Sequence, residues 1–212
     1  MAFAEATPVL LPPTVWQRLK KRKLALFGMA LIALTLFGAL FAPYLTPYEP
    51  NDQMFDGLTM QGAPMAPGAQ FALGTDLLGR DLLTRILYGA RTSLIIGVLA
   101  NGVALIIGTF IGVTAGYFGG IWGNILMRFT DLMMAFPALL LAICLAAIFQ
   151  PSLWIVAMVI ATVNWVQTAR VLYAETASLS QREFIAAERT LGAGNVRILF
   201  KHILPHLTPT II

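Results

Sequence analysis

Four long apolar stretches alternate with polar segments along the chain, and none of them contains Asp, Glu, Lys or Arg. They are residues 24–42, 93–117, 132–149 and 153–169. A bilayer core of about 30 Å is crossed by roughly 20 helical residues at a rise of 1.5 Å per residue. Because each stretch is close to that length, the pattern predicts an all-α membrane protein with four visible spans.

Composition narrows the class of protein further. Charged residues make up 11% of the chain and the AVILMFWYC set 58%, whereas soluble domains carry about 25% charged residues. The net charge of +4 could indicate nucleic-acid binding, but the basic residues lie at the ends of the apolar stretches and form no stripe interleaved with aromatic residues. Cys144 is the single cysteine, so this chain alone builds neither a disulfide framework nor a thiolate metal cluster. We expect contact with membrane lipid and no nucleic acid.

The distribution of charge predicts the orientation of the spans. Residues 1–23 carry five basic residues and one acid, which the positive-inside rule places in the cytoplasm. The stretch 24–42 is too long for a signal peptide and lacks a small-residue cleavage pattern, so we interpret it as a retained first transmembrane helix. Alternation places residues 43–92 outside and residues 170–205, with five basic residues and three acids, inside. Residues 118–131 are interpreted as a short neutral turn.

The outer segment divides into a loop and a helix. Three prolines between residues 43 and 50, followed by a Gly-Ala-Pro-rich run at 62–68, argue against regular structure and predict an extended loop. From about Asp76 onward, apolar residues recur with helical spacing at positions 82, 83, 86 and 87. This pattern predicts an amphipathic helix on the membrane surface that leads directly into the second span.

Three features lie within the spans. Gly108, Gly112 and Gly116 repeat a small-xxx-small pattern, which predicts a helix that packs closely against protein. Asn164 and Gln167 are polar amides that need partners at membrane depth, so they either line a pore or bond to another helix. The proline at position 137 is expected in the first turn of the third span, where its missing amide is tolerated.

Residues 180–205 contain several residues that typically begin or end helices. Ser180 and Glu183 have the spacing of a capping box, and a Gly-Ala-Gly break follows one short apolar face. Asn195 is placed to cap a second short helix that ends near Pro205. The pattern predicts two short helices that meet at a glycine elbow.

This segment resembles the cytoplasmic signature of ABC importer permeases, E-A-A-x3-G-x9-I-x-L-P. Residues 186–205 fit its spacing, with Ala186 at the glutamate position, Glu188 at the third position and His202 at the isoleucine position. Two further stretches, 73–94 and 128–137, resemble the dipeptide/oligopeptide branch, and the likeness covers nearly the whole chain. We therefore identify the chain as similar to the shorter-loop permease subunit of that branch.

The resemblance implies a type I ABC importer transmembrane-domain helix bundle with cytoplasmic coupling helices. Residues 93–212 would form the permease core, with three transmembrane helices and a coupling loop at 175–205. Such a subunit forms half of the pathway for di- or oligopeptides across the bacterial inner membrane. Its partners would be a second, different permease subunit, two ABC ATPase subunits and a periplasmic substrate-binding protein.

The resemblance also implies which residues dock against the ATPase. The chain has no G-x4-G-K-[ST] phosphate loop, so we expect ATP hydrolysis in the partner subunits, no enzymatic activity and no cofactor here. His202 and His206 lack the H-E-x-x-H arrangement, and no metal site is expected. The expected docking residues are Phe184, Ala186, Ala187, Glu188, Leu191, Gly192, His202, Leu204 and Pro205.

Several alternatives stay open. The elbow could be an amphipathic helix resting on lipid, and the protein could be a membrane scaffold. A secondary transporter is disfavoured because the four stretches contain no ionisable relay, and a membrane enzyme because no catalytic set converges. Related permeases carry nickel chelates or glutathione-like molecules. Members of the branch usually have six spans, so we expect the C-terminal part to be missing beyond residue 212.

Overall fold

A computed structural model describes residues 20, 22–150 and 152–211, and the expected cytoplasmic segment 1–23 lies largely outside them. Within that part the secondary structure is helical, with two isolated β-bridges and no named strand, so the all-α prediction is confirmed. The helices are α1 Lys23–Leu45, α2 Leu82–Phe118, α3 Gly120–Ala135, α4 Ala138–Ile148, α5 Leu153–Ser180, α6 Glu183–Thr190, α7 Asn195–Ile198, a π-helical segment Leu199–Ile203 and α8 Leu204–Ile211.

Three of these helices, α1, α2 and α5, are long and apolar enough to cross a membrane. The pair α3 and α4 would make a fourth span, but the two helices are bent by 81°. The predicted turn at 118–131 is wrong because α3 occupies most of it, and the predicted third span at 132–149 is broken. The cause is Pro137: it has no amide hydrogen, and it forces Phe136 into extended backbone with φ −82° and ψ 127°.

The chain forms two compact units, residues 1–91 and 92–212, and the boundary falls within α2. In the first unit the predicted extended loop is folded back on itself by internal hydrogen bonds. The Thr75 hydroxyl lies 2.5 Å from the Gly57 carbonyl oxygen, to which it donates, and accepts from the Met65 amide at 2.8 Å. Thr75 is only 4% exposed, so these bonds hold the interior of the loop.

Acidic side chains organise the end of this loop. Asp81 caps α2, since one carboxylate oxygen accepts from the amide of Thr84 at 2.8 Å and from its hydroxyl at 2.6 Å. The predicted surface helix and the second span form one continuous helix from Leu82 to Phe118.

Asp76 lies at the centre of a second group of bonds. Its carboxylate accepts from Nε of Arg80 at 2.8 Å, from the Leu78 amide at 2.9 Å and from a guanidinium nitrogen of Arg85. Partial burial raises the pKa of Asp76, but the bonds from Arg80, Leu78 and Arg85 outweigh it and hold that pKa well below its ordinary value.

In the second unit, α2 lies directly against α5 along its glycines. A Cβ atom on Gly112 would stand 2.4 Å from the carbonyl oxygen of Ala169, and one on Gly108 would stand 2.7 Å from that of Trp165. At Gly116 the same distance, to the carbonyl oxygen of Tyr173, is 2.7 Å. Only a hydrogen fits at these positions, so the two backbones approach as closely as small-residue helix packing allows.

Helix α3 packs onto the same pair. The ring of Phe129 stacks on Trp165 with centroids 5.9 Å apart, and Met133 packs against the cluster around Trp165 and Ala169. Asp131 of α3 forms an ion pair with Arg170 of α5. The end of α3 is therefore level with the turns of α5 that precede Arg170.

Candidate functional site

The segment from Glu183 to Ile211, here called the elbow, packs its inner face onto the ends of α2 and α5. Ile185, Ile198, Ile203 and Leu207 have no exposed surface. They form one apolar cluster with Val113 and Tyr117 of α2 and Leu172 of α5. Burying branched apolar side chains is the main source of stabilisation available to such short helices.

Helix α6 ends in a Schellman motif at Gly192. Gly192 has φ +81°, its amide donates to the Arg189 carbonyl at 3.0 Å, and the Ala193 amide donates to the Glu188 carbonyl at 3.0 Å. A Cβ atom on Gly192 would meet nothing within 4 Å. The turn therefore requires glycine for its backbone conformation, not for space.

The predicted helix caps are wrong. Ser180 is the last residue of α5, where its hydroxyl donates to the Ala177 carbonyl at 2.9 Å, so it does not cap α6. Asn195 is the first residue of α7, and its Oδ1 accepts from the Tyr117 hydroxyl at 2.9 Å. A tertiary bond to α2 has replaced the local cap, and it fixes the elbow to the end of a span.

The second helix does not end near Pro205 as predicted, but continues to Ile211 through the π-helical segment. Pro205 offers no amide to the preceding turn, and a widened turn accommodates that loss. Ile198 and Ile203 are five residues apart, which a π turn brings close to one face, and both are fully buried.

The structure separates the predicted docking residues into two groups. Glu188, His202 and Leu204 are partly buried and belong to the inner side: Nε2 of His202 lies 3.4 Å from Oε1 of Glu188, and Leu204 packs against the apolar cluster. That histidine–glutamate contact is not aligned as a hydrogen bond. The exposed residues are Phe184, Ala186, Ala187, Leu191, Gly192 and Pro205.

Sequence reasoning missed one exposed apolar residue and one tertiary contact of this region. Val196 is 70% exposed beside the buried Ile198, and its place between Asn195 and Arg197 gave no apolar run to mark it. The guanidinium of Arg189 lies 5.2 Å above the ring of Tyr117, a cation–π contact that ties α6 to α2. No short-range pattern in the sequence indicates that contact.

The two amides of α5 have different surroundings. Asn164 and Gln167 are both exposed, and neither has a hydrogen-bond partner within the described ranges. Gln167 lines a cavity of about 220 Å³ beside the break between α3 and α4. Asn164 is not among the residues that line this cavity.

Residues 20, 22–150 and 152–211 contain no group of three His, Cys, Asp or Glu side chains that could hold a metal ion. The two histidines of the elbow make other contacts. Nδ1 of His206 lies 2.6 Å from the His202 carbonyl oxygen, and its ring stacks on Phe184 at 5.4 Å.

The fold and the elbow define a class: a multi-pass helical membrane protein with a structured segment docked on the ends of two long helices. Residues 108–212 match the family described as "Binding-protein-dependent transport system inner membrane component", and residues 14–64 match the "N-terminal TM domain of oligopeptide transport permease C". The chain belongs to this inner-membrane permease family, within the group of dipeptide and oligopeptide permeases, as the signature at 186–205 indicated.

Named relatives agree with this assignment. The chain is 39% identical to the di/tripeptide transport system permease protein DppC of Pseudomonas aeruginosa, over 93% of this chain and 66% of the relative, just under two thirds. It is 34% identical to the dipeptide permease protein DppC of Haemophilus influenzae, over 100% of this chain and 72% of the relative. The glutathione permease protein GsiD of Shigella boydii is 33% identical, with coverages of 100% and 71%.

Proposed function

We propose that this chain forms half of the pathway by which an ATP-driven importer carries dipeptides or oligopeptides across the bacterial inner membrane. A second permease subunit would form the other half, and a periplasmic binding protein would deliver the peptide. Two separate ABC ATPase subunits would hydrolyse ATP, so this chain has no catalytic role. The elbow and the N-terminus lie on the cytoplasmic side in this proposal, as the positive-inside rule favours.

The observation that carries the proposal is that the elbow exposes large apolar side chains as well as burying others. The inner side of the elbow packs against α2 and α5. On its outer side the side chains of Phe184, Leu191 and Val196 are 37%, 82% and 70% exposed. We call these three residues the outer face. Large apolar side chains exposed on a structured surface are typical anchors of a protein-binding site. The occupant we propose is the ATPase.

The inner contacts explain how docking would move the membrane helices. The elbow is joined to α2 through the Tyr117–Asn195 hydrogen bond, and to α5 through Thr210, whose hydroxyl donates to Glu175 at 2.9 Å. Ile185 of α6 and Ile203 of the π-helical segment belong to one buried apolar cluster, which holds these two parts of the elbow together. A displacement of the outer face is therefore passed to both spans without bending the elbow.

Cross-linking tests the docking of the outer face. In a Cys144→Ser background, Leu191→Cys should cross-link to the ATPase in the assembled complex. Thr208→Cys, which is also exposed but lies outside the outer face, should not. Cross-links of Leu191→Cys to lipid alone, with none to the ATPase, would instead favour the surface-helix alternative.

Substitution of Gly192 tests the coupling. We expect Gly192→Leu to abolish uptake of labelled dialanine while ATP hydrolysis continues, because its side chain would enter the open space that the docked ATPase occupies. Gly192→Ala introduces the same backbone strain at positive φ, about 1–2 kcal/mol, but without the bulk of leucine, and should retain most uptake. Equal uptake by both variants would refute the docking role. Parallel assays with glutathione decide the substrate, an alternative supported by the GsiD relative.

A further inference from the structure

The cavity beside the break between α3 and α4 lies at membrane depth. It is lined by Phe136 and Pro137 at the break and by four residues of α5, Thr162, Val163, Val166 and Gln167. Those α5 residues belong to the charge-free stretch 153–169. The cavity, which we call the break cavity, is therefore level with the apolar part of a span.

Irregular backbone at this depth needs water or protein around it. Phe136 is extended and Pro137 has no amide, so the helical hydrogen-bond ladder is interrupted between Ala135 and Ala138. Backbone outside a helix is tolerated in the hydrocarbon region only where it is buried in protein or lines a water-filled cavity. Phe136 and Pro137 are exposed, so the described part of this chain does not bury them, and we adopt the second condition.

A charged pair lies close by on the same helices. Arg170 is one turn beyond Gln167 on α5 and pairs with Asp131 of α3. Their side chains are 48% and 41% exposed. Charged groups within membrane helices face the bundle interior or a water-filled cavity and often pair with one another, and the partial exposure of this pair favours water beside the break cavity.

Gln167 is the side chain in the break cavity with free hydrogen-bonding capacity. The hydroxyl of Thr162 is already engaged, donating to the Met158 carbonyl at 2.8 Å, whereas the Gln167 amide has no partner in the part of the chain described. A primary amide offers both donors and an acceptor, which complement the C=O and N–H groups of a peptide main chain.

Resting on the proposed function, we infer that Gln167 and the break cavity form a hydrated contact site for the main chain of the transported peptide. A main-chain contact does not depend on substrate side chains, which suits a permease whose external binding protein selects the cargo. Asn164 supplies the matched comparison, since it is a similar exposed amide on the same helix outside this cavity.

Cysteine accessibility tests the hydration of the cavity independently of transport. Gln167→Cys and Asn164→Cys, each in a Cys144→Ser background, would be assembled with the partner subunits in inside-out vesicles and treated with a charged methanethiosulfonate reagent. We expect modification at position 167 to be at least tenfold faster than at 164. Equal rates, or faster modification at 164, would overturn the inference.

Uptake tests the contact itself. Gln167→Leu should reduce dialanine uptake about fivefold to tenfold, the effect of losing one hydrogen bond to the passing substrate, while Asn164→Leu stays within about twofold of the wild type. Stimulation of ATP hydrolysis by the binding protein should be unchanged in both. Normal uptake by Gln167→Leu would overturn the inference and leave the proposed function standing. Absence of peptide uptake by the wild-type complex would refute the proposed function instead.

Discussion

Two irregular segments of this protein are held together by different forces. In the loop of residues 49–81, the buried Thr75 hydroxyl bonds to backbone groups, and the buried Asp81 carboxylate accepts from the amide and hydroxyl of Thr84. In the elbow, buried side chains such as Ile185 and Ile198 are aliphatic, and polar contacts lie at its edges. The loop depends on correct pairing of hydrogen bonds, whereas the elbow depends on the volume of its apolar cluster.

The difference teaches what each segment tolerates. A hydrogen-bonded loop loses stability when one partner is removed, because the other is left buried and unsatisfied. An apolar cluster loses stability in proportion to the volume removed, while polar exchanges on its exposed side cost little. The outer face of the elbow can therefore vary with its partner without unfolding the segment.

The largest effect should come from the buried side of the elbow. Ile198→Ala removes three carbons from a fully buried position and should cost about 2–4 kcal/mol, because it leaves a cavity beneath α7. Val196→Ala, two residues away and 70% exposed, should change stability by less than about 0.5 kcal/mol. Protease sensitivity of the elbow in purified protein measures both. Equal sensitivity of the two variants would contradict the two-sided description.

A smaller loss is expected in the loop from an isosteric change. Thr75→Val keeps the side-chain volume but leaves the Gly57 carbonyl and the Met65 amide without their partner. This should lower the free energy of unfolding of the loop by about 1–3 kcal/mol. Thr59→Val is the control, since the Thr59 hydroxyl accepts the Ala63 amide at an exposed site. Hydrogen exchange of the loop amides should accelerate strongly in the first variant only. Similar exchange in both would mean that burial of the bond is unimportant.

The smallest effect is expected from pH in the ordinary range. Because the pKa of Asp76 is lower in the folded loop than its ordinary 3.8, its contribution is fully present above that value and is lost as pH falls through the lower, folded pKa. Hydrogen exchange of the loop, corrected for intrinsic rates, should therefore stay constant from pH 8 to about pH 5. Asp76→Asn should loosen the loop at every pH in that range. A wild-type transition near neutral pH would contradict this account.

Much of the fold could be predicted because burial in lipid imposes a simple pattern. Charge-free stretches near 20 residues located α1, α2 and α5. The third span was misplaced because hydropathy does not report that α3 begins at Gly120 and ends at Ala135, two residues before Pro137. In the elbow, local caps were expected at Ser180 and Asn195, but longer-range packing decided both positions.

The spacing of signature residues located the candidate site in the sequence. It did not predict the direction in which each side chain points. The signature at 186–205 identified the segment, and Gly192 has the turn geometry that a glycine break indicates. Whether His202 points outward or inward depends on the π turn, which shifts the helical register by one residue and leaves no mark in the hydrophobic pattern. Tertiary contacts such as Arg189 on Tyr117 lie equally beyond local patterns.

The glycine contacts between α2 and α5 have a consequence for motion. At three successive turns an added Cβ atom on α2 would lie as close as 2.4 Å to the backbone of α5, so the two spans are in close backbone contact along this stretch. We therefore expect a displacement of their cytoplasmic ends to move α2 and α5 together. Any bending during the transport cycle would then occur elsewhere. The nearest such place is the 81° bend at Pro137, where the helical hydrogen bonds are already interrupted.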